Sequence, residues 1–300
     1  MRTLLLISGF VLAIIAFSSC EKKEGVYTPN MKIKTIHEQW SDPYSETDGL
    51  SPKILLETWQ WDGKLIDKIN YTIGEEFIST ASFEYDKKRI SKIVNDYGEY
   101  GMVDELRFIY DGSKLSQVQA WSENYMYTKM TITHDKSHIT EILVEYFFDQ
   151  MQAIKNLPKD IFLKQALKTV FPSQTVNLIV NDKKLIENIE AKSDTYNYTI
   201  KLSYNGANIK EEKIIHTDGY EETYTYFYDS ERNPYRGLLF TNGEETGEGI
   251  SKNNIVKIIE ENNQGHRSER EFSITYQNHY PVEITYESPS YKYTIFFTYY

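Results

Sequence analysis

The sequence contains little cysteine, little proline and few basic residues, and each shortage excludes a class of protein. One cysteine in 300 residues rules out an internal disulfide, while eight prolines and 15 glycines are too few for a collagen-like or low-complexity chain. Lys and Arg total 33 against 44 Asp and Glu, so the formal net charge is -11 at pH 7. An acidic protein repels phosphate backbones, and we therefore expect no nucleic-acid partner.

Aromatic residues are abundant instead, with 25 Tyr, 14 Phe and 4 Trp. Aromatic and β-branched side chains fit the pleated surface of a sheet, so this composition favours strands. A mean hydropathy of -0.55 is too polar for a helical membrane protein, and 26% charged residues are typical of a globular chain. We therefore predict an all-β globular protein.

The first 20 residues have the layout of an export signal. Arg2 precedes an uncharged run over 4–17, which is a secretory h-region and is shorter than the roughly 20 residues that span a bilayer. The stretch Ala16-Phe17-Ser18-Ser19-Cys20 resembles the bacterial lipobox, in which small residues precede a cysteine that is acylated and becomes the first mature residue. The alternative is an ordinary signal peptide with a chance cysteine. We expect a lipoprotein signal peptide over 1–20 and lipid attachment at Cys20.

A lipid at Cys20 would tie the protein to a membrane surface. Two or three acyl chains hold a protein stably, because affinity grows by about 0.8 kcal/mol per buried CH₂. By resemblance to bacterial lipoproteins, Glu21 is compatible with transport to the outer membrane, where the protein would face the periplasm or the cell surface. Residues 21–30 are then a tether, and residues 31–300 are one folded domain.

A repeat of about 24 residues runs through this domain. Each copy reads aromatic, any residue, Tyr or Trp, Asp, a turn and then two spaced aliphatic residues, as in Phe83-Glu84-Tyr85-Asp86 followed by Ile90 and Ile93. The Asp position of the nine copies falls at Asp62, Asp86, Asp111, Asp135, Asp182, Asn205, Asp229, Ser251 and Gln277. Residues before it alternate between polar and apolar, which is the pattern of a half-buried strand.

Each copy predicts a β-hairpin. We expect the Asp to bond its own backbone and start the turn, and Gly follows it at Gly63, Gly112 and Gly206, where it supplies the positive φ of a tight hairpin. Nine equivalent positions cannot all be active sites, so these Asp residues are interpreted as structural. The hairpins, with residues 31–37 before them and 291–300 after them, predict an up-and-down antiparallel meander of about twenty strands, curved into an open or closed barrel-like shell.

The meander is interrupted between Asp135 and Asp182, which stand about two periods apart. The insert at about 149–172 contains an amphipathic stretch at 159–171, and we predict a helix there. The apolar face of this helix consists of Phe162, Ala166, Leu167 and Val170. We expect it to lie on the concave face of the sheet as a plug or lid.

The Tyr-Asp turns resemble the YD-repeat family of β-shell proteins. The lipobox together with Tyr228-Asp229-Ser230-Glu231-Arg232-Asn233-Pro234-Tyr235 is more similar to uncharacterised Bacteroidetes-type lipoproteins with a porin-like β fold. This resemblance covers about 31–300, although most Asp positions lack the Gly-Arg pair of the YD repeat proper. It implies a fold and no catalytic residues, because the lipoprotein family carries no assigned activity.

Candidate chemical sites are few. His134 and His138 flank Asp135 like metal ligands, but they straddle a predicted turn without a third ligand nearby, so a surface pair is the favoured interpretation. The acidic stretches 218–222 and 242–248 lack the alternating oxygen ligands of a calcium loop and are interpreted as hairpin tips. No nucleophile elbow, phosphate loop, zinc-protease or dinucleotide motif occurs. We therefore assign no catalytic residue, metal or cofactor, and the ligand-binding residues stay unknown.

Three functions remain open. We favour a non-enzymatic binding or scaffold module of the cell envelope, with a glycan or an envelope protein as its ligand, and the aromatic faces serve either as core or as a groove that stacks on sugars. An outer-membrane pore-like barrel is the first alternative, because the aromatic end Tyr293–Tyr300 has the look of a terminal barrel strand, although lysines such as Lys68, Lys92 and Lys201 interrupt the strands. A carbohydrate-active enzyme with paired carboxylates is the second.

Replacing Cys20 with Ala is expected to release the protein from the membrane, because the variant lacks the acylated side chain. The measurement is cell fractionation together with the mass of the mature amino terminus, and Ser19→Ala, which keeps a small residue before the cysteine, serves as the control. Unchanged membrane attachment of Cys20→Ala, or a wild-type amino terminus without acyl mass, would contradict lipidation.

Overall fold

The computed structural model describes residues 27, 29–41, 49–74, 76–98, 101, 103–122, 124–136, 138–147, 174–181, 185–193, 197–236, 251–288 and 291–300. These residues form 18 strands. The strands are β1 (Ile33–Ser41), β2 (Ile54–Asp62), β3 (Leu65–Ile73), β4 (Glu76–Asp86), β5 (Arg89–Asp96), β6 (Val103–Asp111), β7 (Lys114–Ser122), β8 (Tyr125–Asp135), β9 (His138–Tyr146), β10 (Gln174–Val180), β11 (Ile186–Ser193), β12 (Tyr198–Asn205), β13 (Asn208–His216), β14 (Glu221–Tyr228), β15 (Ile255–Asn262), β16 (Arg267–Gln277), β17 (Tyr280–Ser288) and β18 (Tyr291–Tyr299).

The strands close into one barrel. Each strand pairs antiparallel with its neighbours along the chain, and β1 pairs with β2 on one side and with β18 on the other. At the seam Ile36 lies opposite Phe297, and Trp40 lies opposite Tyr293. The predicted all-β meander is confirmed, and the shell is closed, so all 18 described strands have a partner on both sides.

The count of about twenty strands is wrong by one hairpin. The repeat copies at Asp229 and Ser251 are two halves of a single hairpin, since Tyr226 pairs with Ile258 and Tyr228 pairs with Ile255. The long connection between β14 and β15 lies where the other hairpins have a tight turn. Ser251 is fully buried at the end of this connection, where its hydroxyl donates to the Tyr228 hydroxyl at 2.8 Å and accepts from the Ile209 amide at 3.2 Å.

The insert at about 149–172, with the predicted helix at 159–171 and the proposed plug side chains Phe162, Leu167 and Val170, lies outside the described residues. Strands β9 and β10 on either side of it pair directly, with Ile142 opposite Val176. The excess sequence is therefore a connection between adjacent strands, and the order of the meander is unbroken. Among the described residues no α-helix occurs, and none forms a helix long and apolar enough to cross a membrane.

The two ends of the barrel differ in their connections. One end, called the turn end, carries the tight loops of the Tyr-Asp hairpins together with the start of β1 and the end of β18. The opposite end, called the mouth, carries the connections that follow odd-numbered strands, such as those between β1 and β2 and between β9 and β10. Because the strands are antiparallel and consecutive, every described Asp of the repeat belongs to the turn end.

Positive backbone φ angles, rather than Asp side chains, fix the tight loops. Asp86 is the last residue of β4 and pairs with Arg89, and the two intervening lysines have φ of 50° and 73°, as in a type I′ turn. The Asp86 carboxylate lies 3.5 Å from the Arg89 guanidinium. The expected bond to its own backbone does form at Asp229, which accepts from the Glu231 amide at 2.9 Å.

Alternation along the strands separates an apolar inner wall from a polar outer wall. The inner wall contributes most of the buried core, including the fully buried Ile33, Ile66, Leu115, Ile139, Ile142, Ile186, Ile189 and Ile209. The outer wall carries cross-strand ion pairs such as Lys92 with Glu84 at 2.6 Å and Lys213 with Glu221 at 2.7 Å. The aromatic residues of the repeat contribute to the core, since Trp59, Phe83 and Phe108 are all under 9% exposed.

The Tyr of the Tyr-Asp pair joins successive hairpins. The Tyr85 hydroxyl donates to the Ile66 carbonyl at 2.8 Å, and the Tyr110 hydroxyl donates to the Ile90 carbonyl at the same distance. Trp61, at the equivalent position of the first copy, donates from its indole nitrogen to the Ile33 carbonyl at 2.8 Å. Each side chain thus reaches one hairpin back and satisfies its polar atom on backbone, which explains why this position prefers an aromatic residue with a polar tip.

Aromatic side chains also close the turn end. Tyr27 is buried there, donates from its hydroxyl to the Pro234 carbonyl at 2.7 Å and packs against Trp61 with 6.2 Å between ring centroids. Tyr235 packs edge-on against Phe297 at 5.8 Å. Burial raises the pKa of Tyr27, which fits a phenol removed from water.

Two substitutions in the tight loops are expected to move stability in opposite directions. Lys88→Gly removes the strain of a side chain at a φ of 73° and should raise the free energy of unfolding by roughly 1 kcal/mol. Gly63→Ala places a side chain at a φ of 55° where no atom lies within 4 Å, so strain alone should lower it by about 1 kcal/mol. Denaturant unfolding measures both, and a shift of the same sign in the two variants would contradict this account.

Candidate functional site

The inner wall changes character toward the mouth, where carboxylates and tyrosines replace the aliphatic residues. The register places these acidic side chains on the same face as the core, because Glu57 pairs with Ile36 and Glu38 pairs with Ile295. The other inward positions of this kind are Asp104, Glu212, Glu222 and Glu260. The mouth is therefore an acidic, tyrosine-rich interior that continues from an apolar core.

Glu57 is a carboxyl of the mouth whose pKa is raised by burial. Its Oε2 accepts a hydrogen bond from the Trp59 indole nitrogen at 2.7 Å. Burial raises the pKa of Glu57, and the Trp59 hydrogen bond offsets this only in part. The pKa of Tyr71 is raised by its own burial and by the charge of Glu57. The surroundings of Glu57 and Tyr71 therefore favour the protonated, neutral form of each side chain, or a neutral hydrogen-bonding group, over a charge.

A second polar network spans β13, β14 and β15. The Tyr226 hydroxyl donates to Glu212 at 2.9 Å, and Glu212 is only 3% exposed. Closer to the rim, the Tyr220 hydroxyl donates to Glu222 at 3.1 Å, and the His216 Nε2 atom lies 3.7 Å from the same carboxylate. Each carboxylate therefore has a fixed partner, and the side chains that line this side of the mouth are held in place.

An aromatic surface occupies the rim at β1 and β18. The rings of Tyr291 and Tyr293 are nearly parallel, with 6.2 Å between centroids and 10° between planes. Tyr293 donates to Glu38 at 2.9 Å, whereas Tyr291 is 40% exposed. Trp40 lies opposite Tyr293 in the register and shares the inward face with Glu38. We call Glu38, Trp40, Tyr291 and Tyr293 the aromatic rim.

A cleft of about 600 Å³ also opens at the mouth, between β11, β12 and β13. Its lining includes Glu190, Lys192, Asn197, Tyr198 and His216. The cleft volume lies in the range of small-molecule sites.

Tyr127 is another tyrosine beside the mouth carboxylates. Burial raises the pKa of Tyr127 to about 12, and the charge of Asp104 adds to the rise.

The residues singled out in the sequence do not converge on the mouth. Cys20 and the acidic stretch 242–248 lie outside the described residues. His134 is the next-to-last residue of β8 and His138 is the first residue of β9, so both belong to the turn end. The stretch 218–222 is the exception, because it forms part of the tip between β13 and β14 and the start of β14, at the mouth. Within the part of the chain that the structure describes, no three His, Cys, Asp or Glu side chains come together as metal ligands would.

The mouth residues were missed because they sit at apolar positions of the strand pattern. Glu57 stands two residues before the buried Trp59, and Glu38 stands two residues after the buried Ile36, so period-two alternation places each of them on the inner face. The sequence signal that could have identified them is a charged residue at a position where the alternation of the strand predicts a buried side chain. Which of these residues meet across the barrel depends on closure, and no local pattern encodes it.

The raised pKa of Glu57 makes a pH-dependent prediction. The folded state binds the Glu57 proton more tightly than the unfolded state, so stability falls as pH rises from about 4.5 through the raised value. Glu57→Gln still accepts from Trp59 and is expected to unfold at a higher temperature than the wild type at neutral pH, with a gap that narrows toward pH 4.5. Thermal unfolding at several pH values measures this, with Glu84→Gln on the outer wall as the control. An equal gap at every pH would contradict the assignment.

Comparison with known proteins gives structural neighbours only. No protein-family model and no curated protein sequence matches the chain. Among solved structures, the fold is similar to a porin-like protein from Bacteroides uniformis with a TM-score of 0.43, 13% identity and coverage of 92% of this chain and 100% of that one. A porin-like protein from Bacteroides vulgatus has a TM-score of 0.33 and 8% identity, and the match covers 90% of this chain and 99% of that one. The TcdB2-TccC3-Cdc42 structure has a TM-score of 0.30 and 10% identity, and the match covers 80% of this chain and 14% of that one. The chain thus has porin-like barrels among its structural neighbours.

Proposed function

We propose that this chain is a non-enzymatic binding module of the cell envelope, and that its ligand is a neutral glycan that docks at the aromatic rim. The observation that carries the proposal is the stacked pair Tyr291 and Tyr293 beside Glu38, at a mouth whose opposite end is packed with Tyr27 and Tyr235. A few polar groups among aromatic side chains are typical of small-molecule sites.

The outer wall supports a barrel surrounded by water. Ion pairs follow one another around it, including Lys129 with Glu145 at 3.2 Å and Lys257 with Glu271 at 3.0 Å. A lysine or arginine on the lipid face of a membrane barrel costs about 2–4 kcal/mol at the bilayer midplane. A wall with such residues on neighbouring strands favours water over lipid as its surroundings.

The inner wall supports binding over conduction. Barrels of 16–18 strands that conduct have an aqueous interior. Here most inward side chains below the mouth are aliphatic or aromatic and buried, and Tyr27 and Tyr235 pack at the turn end. The barrel interior is thus apolar and packed toward the turn end and polar at the mouth.

The chemistry of the aromatic rim fits a sugar. The face of a pyranose ring is apolar and packs on a tyrosine or tryptophan ring, while its hydroxyls donate to an acceptor at the edge. Glu38 accepts one hydrogen bond from Tyr293, and a carboxylate offers about four lone-pair sites, so acceptor capacity remains. The acidic mouth repels anionic glycans, which leaves neutral ones as the favoured class.

Tyr291→Ala is expected to weaken glycan binding by about tenfold, which corresponds to roughly 1.4 kcal/mol for a lost stacking surface. The full chain would be screened on an array of neutral glycans, and the best binder would be titrated against the variant. Phe227→Ala is the matched control, because Phe227 has a similar exposure of 43% but lies on the outer wall.

Three results would overturn the proposal. The first is equal loss of binding in Tyr291→Ala and Phe227→Ala. The second is no glycan binding at all. The third is stepwise conductance when the chain is added to a planar lipid bilayer, which would instead favour the pore-like alternative.

A further inference from the structure

Basic side chains gather at the turn end of an acidic protein. They are Lys32, Lys64, Lys87, Lys88, Arg89, Lys114, Lys136, Arg232, Arg236 and Lys252. The described carboxylates at the same end are fewer, and they are Asp62, Asp86, Asp111, Asp135, Asp229 and Glu231. Among the described residues the turn end is thus net positive, in a chain whose formal net charge is -11.

The most prominent cations stand at the tips of the tight loops. Lys64, Lys87, Lys88 and Lys136 are all exposed there. Half of the strands are nine residues long, and a strand rises about 3.3 Å per residue, so the mouth lies roughly 20–30 Å away. The Debye length is about 8 Å at physiological ionic strength, so a charged surface that touches the tips senses them and not the acidic mouth.

The chain also enters the barrel at this end. Tyr27 is fixed by its hydrogen bond to Pro234 and by its packing on Trp61, and β1 starts at Ile33 beside the last residue of the chain, where the Tyr300 amide donates to the Lys32 carbonyl. Cys20 precedes Tyr27 by seven residues, a length of chain that reaches at most about 25 Å. An anchor at Cys20 would therefore hold the turn end close to the lipid.

We propose that the turn end is a docking surface for anionic lipid headgroups, so that the barrel stands on the membrane with its mouth directed away from it. Lysines near an anionic leaflet each add to the attraction, and those at the loop tips can all meet one plane. The charge complementarity does not depend on the ligand of the mouth or on acylation. An acyl chain at Cys20 would add a second attachment at the same end.

The first test measures binding through charge alone. The full chain with Cys20→Ala is mixed with vesicles of phosphatidylcholine containing phosphatidylglycerol, or of phosphatidylcholine alone. We expect binding only to the anionic vesicles, lost in high salt, and weakened at least about tenfold by combined Lys87→Gln, Lys88→Gln and Lys136→Gln. The matched control removes three lysines elsewhere, with Lys192→Gln, Lys201→Gln and Lys292→Gln, and should stay within about twofold of the parent.

The second test measures orientation on the same vesicles. Ser113→Cys at the turn end and Gln264→Cys at the mouth are both exposed positions and leave the charge unchanged, and each would carry a donor dye in the Cys20→Ala background. Energy transfer to an acceptor on the lipid headgroups should be several-fold greater from position 113. Thermal unfolding confirms that each variant is folded.

Three outcomes would overturn the proposal. They are equal binding to both kinds of vesicle, equal weakening by the two lysine triples, and energy transfer from position 264 that equals or exceeds that from position 113. None of them depends on whether the mouth binds a glycan.

Discussion

Closure of the sheet is the constraint on which the remaining structure depends. Strand β1 must pair with both β2 and β18, so the first and last strands of the domain lie side by side, and the start of β1 and the end of β18 both belong to the turn end. With the seam closed, the alternation of each strand divides the molecule into one inside and one outside. An apolar inner wall then needs no second sheet or covering helix, because the barrel covers itself.

The local structure could be predicted from the sequence, and the closure could not. Hairpins such as the one at Phe83 to Ile93 follow from alternation and a turn within about 24 residues. The seam joins Thr35 to Thr298, whose hydroxyls lie 2.6 Å apart, and no local pattern links positions 263 residues apart. The same limit explains the error in the strand count at Ser251. Strands β14 and β15 are separated by a long connection, so the sequence pattern counts them as two copies of the repeat instead of one hairpin.

The mouth was hidden for a related reason. Glu57 and Glu38 occupy inward positions, but the sequence shows them as single charges within otherwise regular strands. Their importance lies in what surrounds them, namely the Trp59 indole, the Tyr293 hydroxyl and the loss of water. The Asp residues stand out in the sequence because they recur, and recurrence marks the scaffold of the barrel and not its site.

The bonds from Tyr85 and Tyr110 to the preceding hairpin bear on how the barrel assembles. Each hydroxyl meets a carbonyl about 20 residues earlier in the chain, so every hairpin that folds finds its acceptor already in place if its predecessor has folded. Growth can therefore proceed strand by strand in the order of synthesis, with short loops to close at most steps and longer ones before β10 and β15. Only the final meeting of β18 with β1 requires a search over the full length of the domain. Because the entropic cost of closing a loop grows with its length, we expect this seam to form last.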